Sequence, residues 1–231
     1  MIVGRGLLAN ALVVIDKDNY LFYVNGISNS VLSQIPGNNF EMKEIEDLTN
    51  EIGDRVFIYF STSQVNSAKN SHRSYVKHKL FIEQLIAERF AKYLIIRTSN
   101  LVGYNPWNTH TLFNYLYNAL HTNEAIKVDY EVIRNFLDAD HLVALVNTYL
   151  LNYEINKTIE IVNPDSYTMR QIIGVFENYF LKKFNIKKAD AQSDFALFEL
   201  DTTLSKQLLE MGELNFDDHI ESLLKKYYSL V

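Results

Sequence analysis

Tyr75 and Lys79 stand four residues apart in a stretch of helical period, and Ile82 and Ile86 continue the same stripe. A phenol and an ammonium group therefore share one helix face that turns toward apolar neighbours. A phenol beside an ammonium can give or take a proton near neutrality, because the positive charge favours the phenolate over its usual pKa of about 10. The spacing recurs at Tyr153/Lys157 and Tyr179/Lys183, so spacing alone does not mark a site. Tyr75 is set apart by Ser61-Thr62-Ser63, hydroxyls that close the apolar run Val56–Phe60 shortly before it. At the carboxyl end of a central strand, where open α/β sheets bind ligands, such a hydroxyl can donate to a carbonyl oxygen that gains charge as hydride arrives. The same residues are equally an ordinary cap of a strand-to-loop turn.

A second feature lies at the N-terminus. Met1-Ile2-Val3 is followed by Gly4-Arg5-Gly6-Leu7-Leu8-Ala9, which fits Gly-x-Gly-x-x-Gly/Ala between a strand and an apolar helix. The first glycine permits a tight turn and the second lets a pyrophosphate approach the backbone. A small third residue lets helix and strand pack closely, with the helix N-terminus facing the phosphates. The pattern also suits a plain strand-to-helix turn. Arg5 reads as a phosphate contact or as a surface residue. Only 13 residues separate Gly6 from Tyr20, room for one short helix and a turn. The acid that would hold an adenine ribose is expected about 20 residues beyond the glycines, and Asp16 and Asp18 fall too early. The adenosine half of a dinucleotide site is thus reduced, and NAD and NADP both stay open.

The elements that must carry these residues follow from periodicity. Short β-rich runs (Tyr20–Val24, Val56–Phe60, Tyr93–Ile96, Ile159–Val162) alternate with helical stretches (Glu41–Ile52, Ser74–Ala91, Thr111–His121, Asp138–Leu151). Such alternation predicts βαβ units and a parallel sheet covered by helices on both faces. From Asn163 onward the pattern changes: Thr168–Leu181 and Phe216–Tyr228 read as helices with only weak strand signals between them. The expected organisation is a Rossmann-like core over residues 1–162, with part of a substrate lobe inserted around 104–130, and a C-terminal substrate lobe over 163–231.

Composition bounds the function. With 231 residues, 48% hydrophobic and 22% charged, the chain can bury a real core. Lys and Arg total 22 against 28 Asp and Glu, a net charge of −6, and no basic run offers a footprint for nucleic acid. Cysteine is absent, which excludes disulfides, thiolate catalysis and Cys-ligated metals. The six histidines are scattered without metal-ligand spacing, so no metal site is expected. The apolar stretch Leu7–Ile15 is too short to span a bilayer and lacks the flanks of a secretory signal. A soluble, cytoplasmic protein with no membrane partner is the expectation.

Taken in order, four segments resemble the extended short-chain dehydrogenase/reductase family of NAD-dependent sugar epimerases, dehydratases and nucleotide-sugar ketoreductases. They are the Gly4–Ala9 turn, Phe60-Ser61-Thr62-Ser63-Gln64-Val65, Ser74-Tyr75-Val76-Lys77-His78-Lys79, and Arg97-Thr98-Ser99-Asn100-Leu101-Val102-Gly103. A fifth, Arg134-Asn135-Phe136-Leu137-Asp138-Ala139-Asp140, resembles the family's Arg-Asp-Phe/Tyr block. The resemblance implies Thr62 as the carbonyl-polarising hydroxyl, Tyr75 as general acid/base, and Lys79 as its partner and a contact to the nicotinamide ribose. It implies cofactor contacts at Gly4, Arg5, Gly6, Ala9, Ser61 and, loosely, Gly26, and substrate contacts at Ser63, Asn100 and Arg134. A homodimer is implied through the Ser74–Ala91 helix. Three departures stand out: two βα units of the usual fold are missing, Asn66 replaces an aromatic residue, and His141 stands where a second Asp is common.

Two functions follow. One is an NAD- or NADP-dependent reductase or epimerase acting at a keto or hydroxyl carbon of a nucleotide-linked sugar, with Arg134 placed on a rim connection to hold the substrate diphosphate. The other is a catalytically inactive ligand sensor or regulatory subunit of the same fold. Thr62, Tyr75 and Lys79 together favour the first; the shortened adenosine side favours the second.

Overall fold

The structure, a computed structural model, describes residues 1–27, 38–67, 71–103, 111–188, 200–214 and 220–229. In chain order the first half runs β1 (Ile2–Val3), α1 (Leu7–Leu12), β2 (Tyr20–Tyr23), α2 (Asn38–Glu51), β3 (Val56–Thr62), α3 (Ser74–Arg89) and β4 (Tyr93–Thr98). There follow β5 (Asn100–Val102), α4 (Leu112–Thr122), β6 (Ile126–Val128), β7 (Ile133–Arg134), β8 (Phe136–Asp138), α5 (Ala139–Asn152) and β9 (Lys157–Ile161). The chain closes with β10 (Tyr167–Thr168), α6 (Met169–Phe180), β11 (Ile186–Lys188), α7 (Thr203–Met211) and α8 (Ile220–Tyr227). The starts expected at Phe216 for the last helix and near 104 for the inserted lobe lie outside the described residues.

Five strands form one sheet in the order β1-β2-β3-β4-β9, every pair parallel. In the doubly wound dinucleotide sheet the first strand stands in the middle, order 3-2-1-4-5-6. Here β1 pairs only with β2 among the described residues and ends the sheet. The two missing βα units are therefore the ones that would continue outward beyond β1.

Side chains alternate across the sheet as the pleat requires. Phe22, Val56, Ile58, Leu94 and Ile96 join one core with Leu12 of α1 and Leu142, Val146 and Tyr149 of α5. Leu21, Tyr23, Phe57, Tyr59 and Ile95 join the opposite core with Ile45 and Leu48 of α2 and Ile82 and Ile86 of α3. Burial on both faces explains why β3 reads as a nearly unbroken run of β-branched and aromatic residues. A third core fills the smaller lobe, where Phe113, Phe136 and Phe176 of α4, β8 and α6 meet edge-to-face.

Helix α7 has no counterpart in the sequence expectation. Its Leu208 is buried in the α1/α5 core, and its Ser205 hydroxyl accepts the Val162 N–H at 3.0 Å just past β9. The 163–231 segment is thus shared between two cores: α6 and α8 build the small lobe, while α7 returns to the sheet. No helix among the described residues is long and apolar enough to cross a membrane.

Candidate functional site

The carboxyl ends of β2, β3 and β4 converge on the N-terminus of α3. Thr62 ends β3, where its hydroxyl accepts the Gln64 N–H at 3.2 Å and starts the short 3-10 turn over residues 63–66. Arg73 precedes α3, and Tyr75 and Lys79 lie one turn apart on its buried side. This geometry brings the Tyr75 hydroxyl near Thr62, whose side chain draws the phenol's pKa back toward its usual value. The Lys79 ammonium lies 6.0 Å from the centre of the Tyr75 ring.

Lys79 is engaged in a way the sequence did not indicate. Its Nζ donates to Tyr59 Oη at 2.7 Å and lies 3.6 Å from Glu41 Oε1, with both charged side chains almost wholly buried. Tyr59 in turn donates to Glu41 Oε1 at 2.8 Å. The other carboxylate oxygen meets His78 Nε2 at 2.7 Å and accepts the Ile27 N–H at 3.1 Å. Glu41, Ile45 and Leu48 share one stripe of α2, so the helix that packs on α3 carries an acid among its core residues. Gly26 makes room for the cluster: a Cβ there would stand 2.7 Å from Glu41 Oε1 and 2.9 Å from Lys79 Nζ.

These contacts fix the direction of each titration. Burial alone would raise the Glu41 carboxyl; the His78 hydrogen bond, the Lys79 charge, and the Ile27 and Tyr59 donors outweigh it and hold Glu41 at about 2. Burial pulls the Lys79 ammonium below its usual value against the opposing pull of Glu41 and Glu83. Tyr75 is driven up by burial and by the Glu41 charge, is drawn back in part by Thr62, and comes to about 12. The acidified phenol expected from a neighbouring ammonium does not occur, because burial disfavours the phenolate and the Glu41 charge adds to that.

The glycine turn has the backbone it needs. Gly4 and Gly6 adopt φ of 128° and 102°, values that side chains rarely adopt, and Gly6 immediately precedes α1. Arg5 is exposed, and Ala9 is buried on α1. At the other end of the cleft, Thr98 Oγ1 and Ser99 Oγ are buried with no hydrogen-bond partner among the described residues, and Thr98 pairs in register with Thr62. Gly4 packs against the Val24–Asn25 backbone, and the positive-φ Gly6 at the start of α1, with the two unspent hydroxyls on and after β4, fits the diphosphate and nicotinamide parts of a dinucleotide. No strand among the described residues lies beyond β1 to carry the adenosine.

The remaining sequence-derived positions divide. Ser61 donates to Glu83 Oε1 at 2.5 Å, and Ser63 donates to the Thr98 carbonyl at 3.2 Å; both are buried. Asn100 is exposed and donates to the Asn135 carbonyl at 3.0 Å. Arg134 lies not on a connection but on β7, paired antiparallel with β10. Burial, and then the charge of Arg73, bring its guanidinium down to about 10. Asn66, in place of the aromatic, bridges Glu160 and Arg97 at 2.9 and 2.8 Å. Sequence reasoning missed Arg73 and Glu41. For Glu41 the available signal was an acid on an apolar helical stripe, and for Arg73 a cation at a helix N-terminus, where the helix dipole disfavours it.

Neither a family model nor a curated protein matches the sequence. Solved structures do match in fold. A UDP-glucose 4-epimerase superposes with a TM-score of 0.74 at 15% identity, covering 97% of this chain and 82% of its own. The UDP-glucuronic acid 4-epimerase from Bacillus cereus, solved with NAD and UDP-glucuronic acid, gives 0.71 at 15% over 95% and 77%. An NAD-dependent NDP-hexosamine 5,6-dehydratase gives 0.66 at 16% over 93% and 78%. The chain has the Rossmann-type fold of these nucleotide-sugar enzymes in a shortened form.

Proposed function

We propose that the protein is an NAD(P)-dependent reductase or epimerase acting at a keto or hydroxyl carbon of a nucleotide-linked sugar. The observation that carries the reading is the placing of Thr62, at the carboxyl end of β3, next to the buried Tyr75 and Lys79 of α3, together with a glycine turn that opens a helix. The nicotinamide group, when bound, supplies or accepts the hydride. Thr62 and Tyr75 bind the sugar oxygen; Thr62 orients it, and the Tyr75 Oη–H is the proton that accompanies hydride addition to the carbonyl carbon. Lys79 orients that phenol from beneath and is itself held by Tyr59 and Glu41. Gly4 and Gly6 would admit the diphosphate of the dinucleotide against backbone N–H groups.

Arg134 binds the diphosphate of the substrate, and Arg73 assists it. Two guanidinium groups in mutual repulsion are stabilised by an anion between them, and their fork geometry matches phosphate oxygens better than a lysine would. The kinship in fold with enzymes of UDP-sugars supports a nucleotide sugar as the ligand class.

The test is calorimetric titration with NAD, NADP and their reduced forms, with and without a UDP-sugar, on the wild type and on Gly6→Val. Gly6→Val places a branched side chain at a positive φ in the turn. Heat with one of the dinucleotides, weakened at least tenfold in the variant, supports the reading. No heat with any dinucleotide, alone or with a UDP-sugar, overturns it.

A further inference from the structure

Glu41 occupies a place that a buried carboxylate rarely holds without a task. It is 1% exposed, and its two oxygens meet Tyr59, Lys79, His78 and the Ile27 N–H. Such a site costs desolvation, which a neutral glutamine or an apolar side chain of the same size would avoid. Its position is specific: it meets the single ammonium that stands beside the Tyr75 ring.

We propose that Glu41 is a positioning residue that pairs with Lys79 and so holds Tyr75 as a proton donor at neutral pH. The groups that face Lys79 and Tyr75 come from three elements besides their own helix. Glu41 and Glu44 come from α2, with Glu44 bound by the Tyr23 hydroxyl of β2 at 2.6 Å. Tyr59 comes from β3, and His78 and Glu83 come from α3. Glu83 is paired with Arg97 at 2.6 Å, and Glu41 is the carboxylate that acts on the phenol. Burial is the largest cause of the high position of Tyr75, about 12, and the Glu41 charge adds to it.

This assignment rests on the NAD(P)-linked reading above, with a reduced nicotinamide dinucleotide as co-reactant. Hydride from it forms the new C–H bond at the carbonyl carbon while the C=O π pair moves to oxygen. That oxygen takes the Tyr75 proton as the phenolic O–H bond breaks. The carbonyl is reduced to a hydroxyl, the dihydronicotinamide is oxidised, and a solvent proton restores the phenol. The reverse step uses the Tyr75 phenolate as base, so the Glu41 charge moves the pH profile of both directions and leaves the equilibrium between them unchanged.

The test has a readout that needs neither cofactor nor substrate. Phenolate absorbance of the full chain is followed from pH 7 to 10.5, and the same titration of Tyr75→Phe is subtracted, which isolates one phenol of the 15. The wild type is expected to show no Tyr75 signal in this range. Glu41→Gln, and Glu41→Met as a variant that fills the volume without an unpaired amide, are expected to bring the Tyr75 titration down by at least one pH unit, a tenfold change in acidity. A wild-type Tyr75 phenolate below pH 10 overturns the proposal, and that arm stands even where neither variant melts cooperatively. A variant that folds and titrates as the wild type also overturns it. Where turnover is measurable, the pH at which hydroxyl oxidation gains its base is expected to fall in Glu41→Gln, in step with the phenol titration. A protein that shows the titration shift but binds no dinucleotide keeps Glu41's effect on the phenol and overturns the reductase reading alone.

Discussion

Tyr75→Phe removes one hydroxyl and keeps the ring, so it separates the proton from the packing. Turnover is expected to fall by roughly 10²-fold or more, the scale of general acid–base catalysis, with ligand affinity little changed. Tyr153→Phe and Tyr179→Phe are the internal controls in a steady-state assay. Both tyrosines share the four-residue spacing to a lysine, but Tyr153 ends α5 against Tyr149 and Tyr179 packs on Phe180, away from any strand-end hydroxyl. Equal losses at all three would assign the effect to structure. Glu41 carries a second residue-scale expectation. Its folded value of about 2 lies below 4.5, so its stabilisation is complete above pH 4.5 and is lost as pH falls toward 2. The linked free energy is on the order of 3 kcal/mol. In urea unfolding, the stability gap between wild type and Glu41→Gln should therefore narrow on going from pH 7 to pH 3; a gap independent of pH refutes the linkage. Tyr75, Lys79 and Thr62 were legible as candidates because the chemistry they could do is written in their types and order in the chain. Glu41 was not, since an acid in the first turn of a helix ordinarily reads as a favourable dipole charge, and only the packing of α2 on α3 turns it inward.

The helices and strands that hold these groups were legible where their period was long and their faces were apolar. β3 and α3 read clearly because both alternate or repeat over several turns of core residues. α7 was missed for the opposite reason: of its nine residues only Ser205 and Leu208 are buried, which is too short a stripe to stand out. Its contribution is nonetheless measurable. Ser205→Ala leaves the buried Val162 N–H without its acceptor, a loss of about 1–3 kcal/mol. Chemical denaturation should show that loss with the denaturant slope unchanged, and a change below about 0.5 kcal/mol would mean that another acceptor replaces the hydroxyl. α6 illustrates the converse. Thr168 and Gln171 form a complete capping box, a signal written entirely in local sequence, and the helix begins within a residue of where that signal puts it.

Over the whole molecule, the proposed site draws on two cores, with Arg134 contributed by β7 of the smaller lobe. Arg134→Lys keeps the charge but removes the fork that suits a diphosphate, so the Michaelis constant for a nucleotide sugar should rise by about 10–150-fold, or about 1.5–3 kcal/mol, with the melting temperature nearly constant. Unchanged saturation with altered melting would make Arg134 part of the scaffold. The lobe's presence could be read from the change of pattern after Asn163, but its mixed ownership could not, because α7 leaves the lobe through contacts distant in sequence. The shortened sheet was legible as a count, with 13 residues where two more units would need many times that. The position of the loss, outboard of β1, required the strand order. That position has a consequence for engineering. Units lost from an open edge break no internal ladder, so the short connection between α1 and β2, around Lys17 and Asp18, is both exposed and aligned with an unfilled flank. It is a natural insertion point: a βαβα segment grafted there would enter and leave on the same side of the sheet and extend it beyond β1. The protein is thereby a ready-made acceptor scaffold on which an adenosine-binding half could be rebuilt piece by piece.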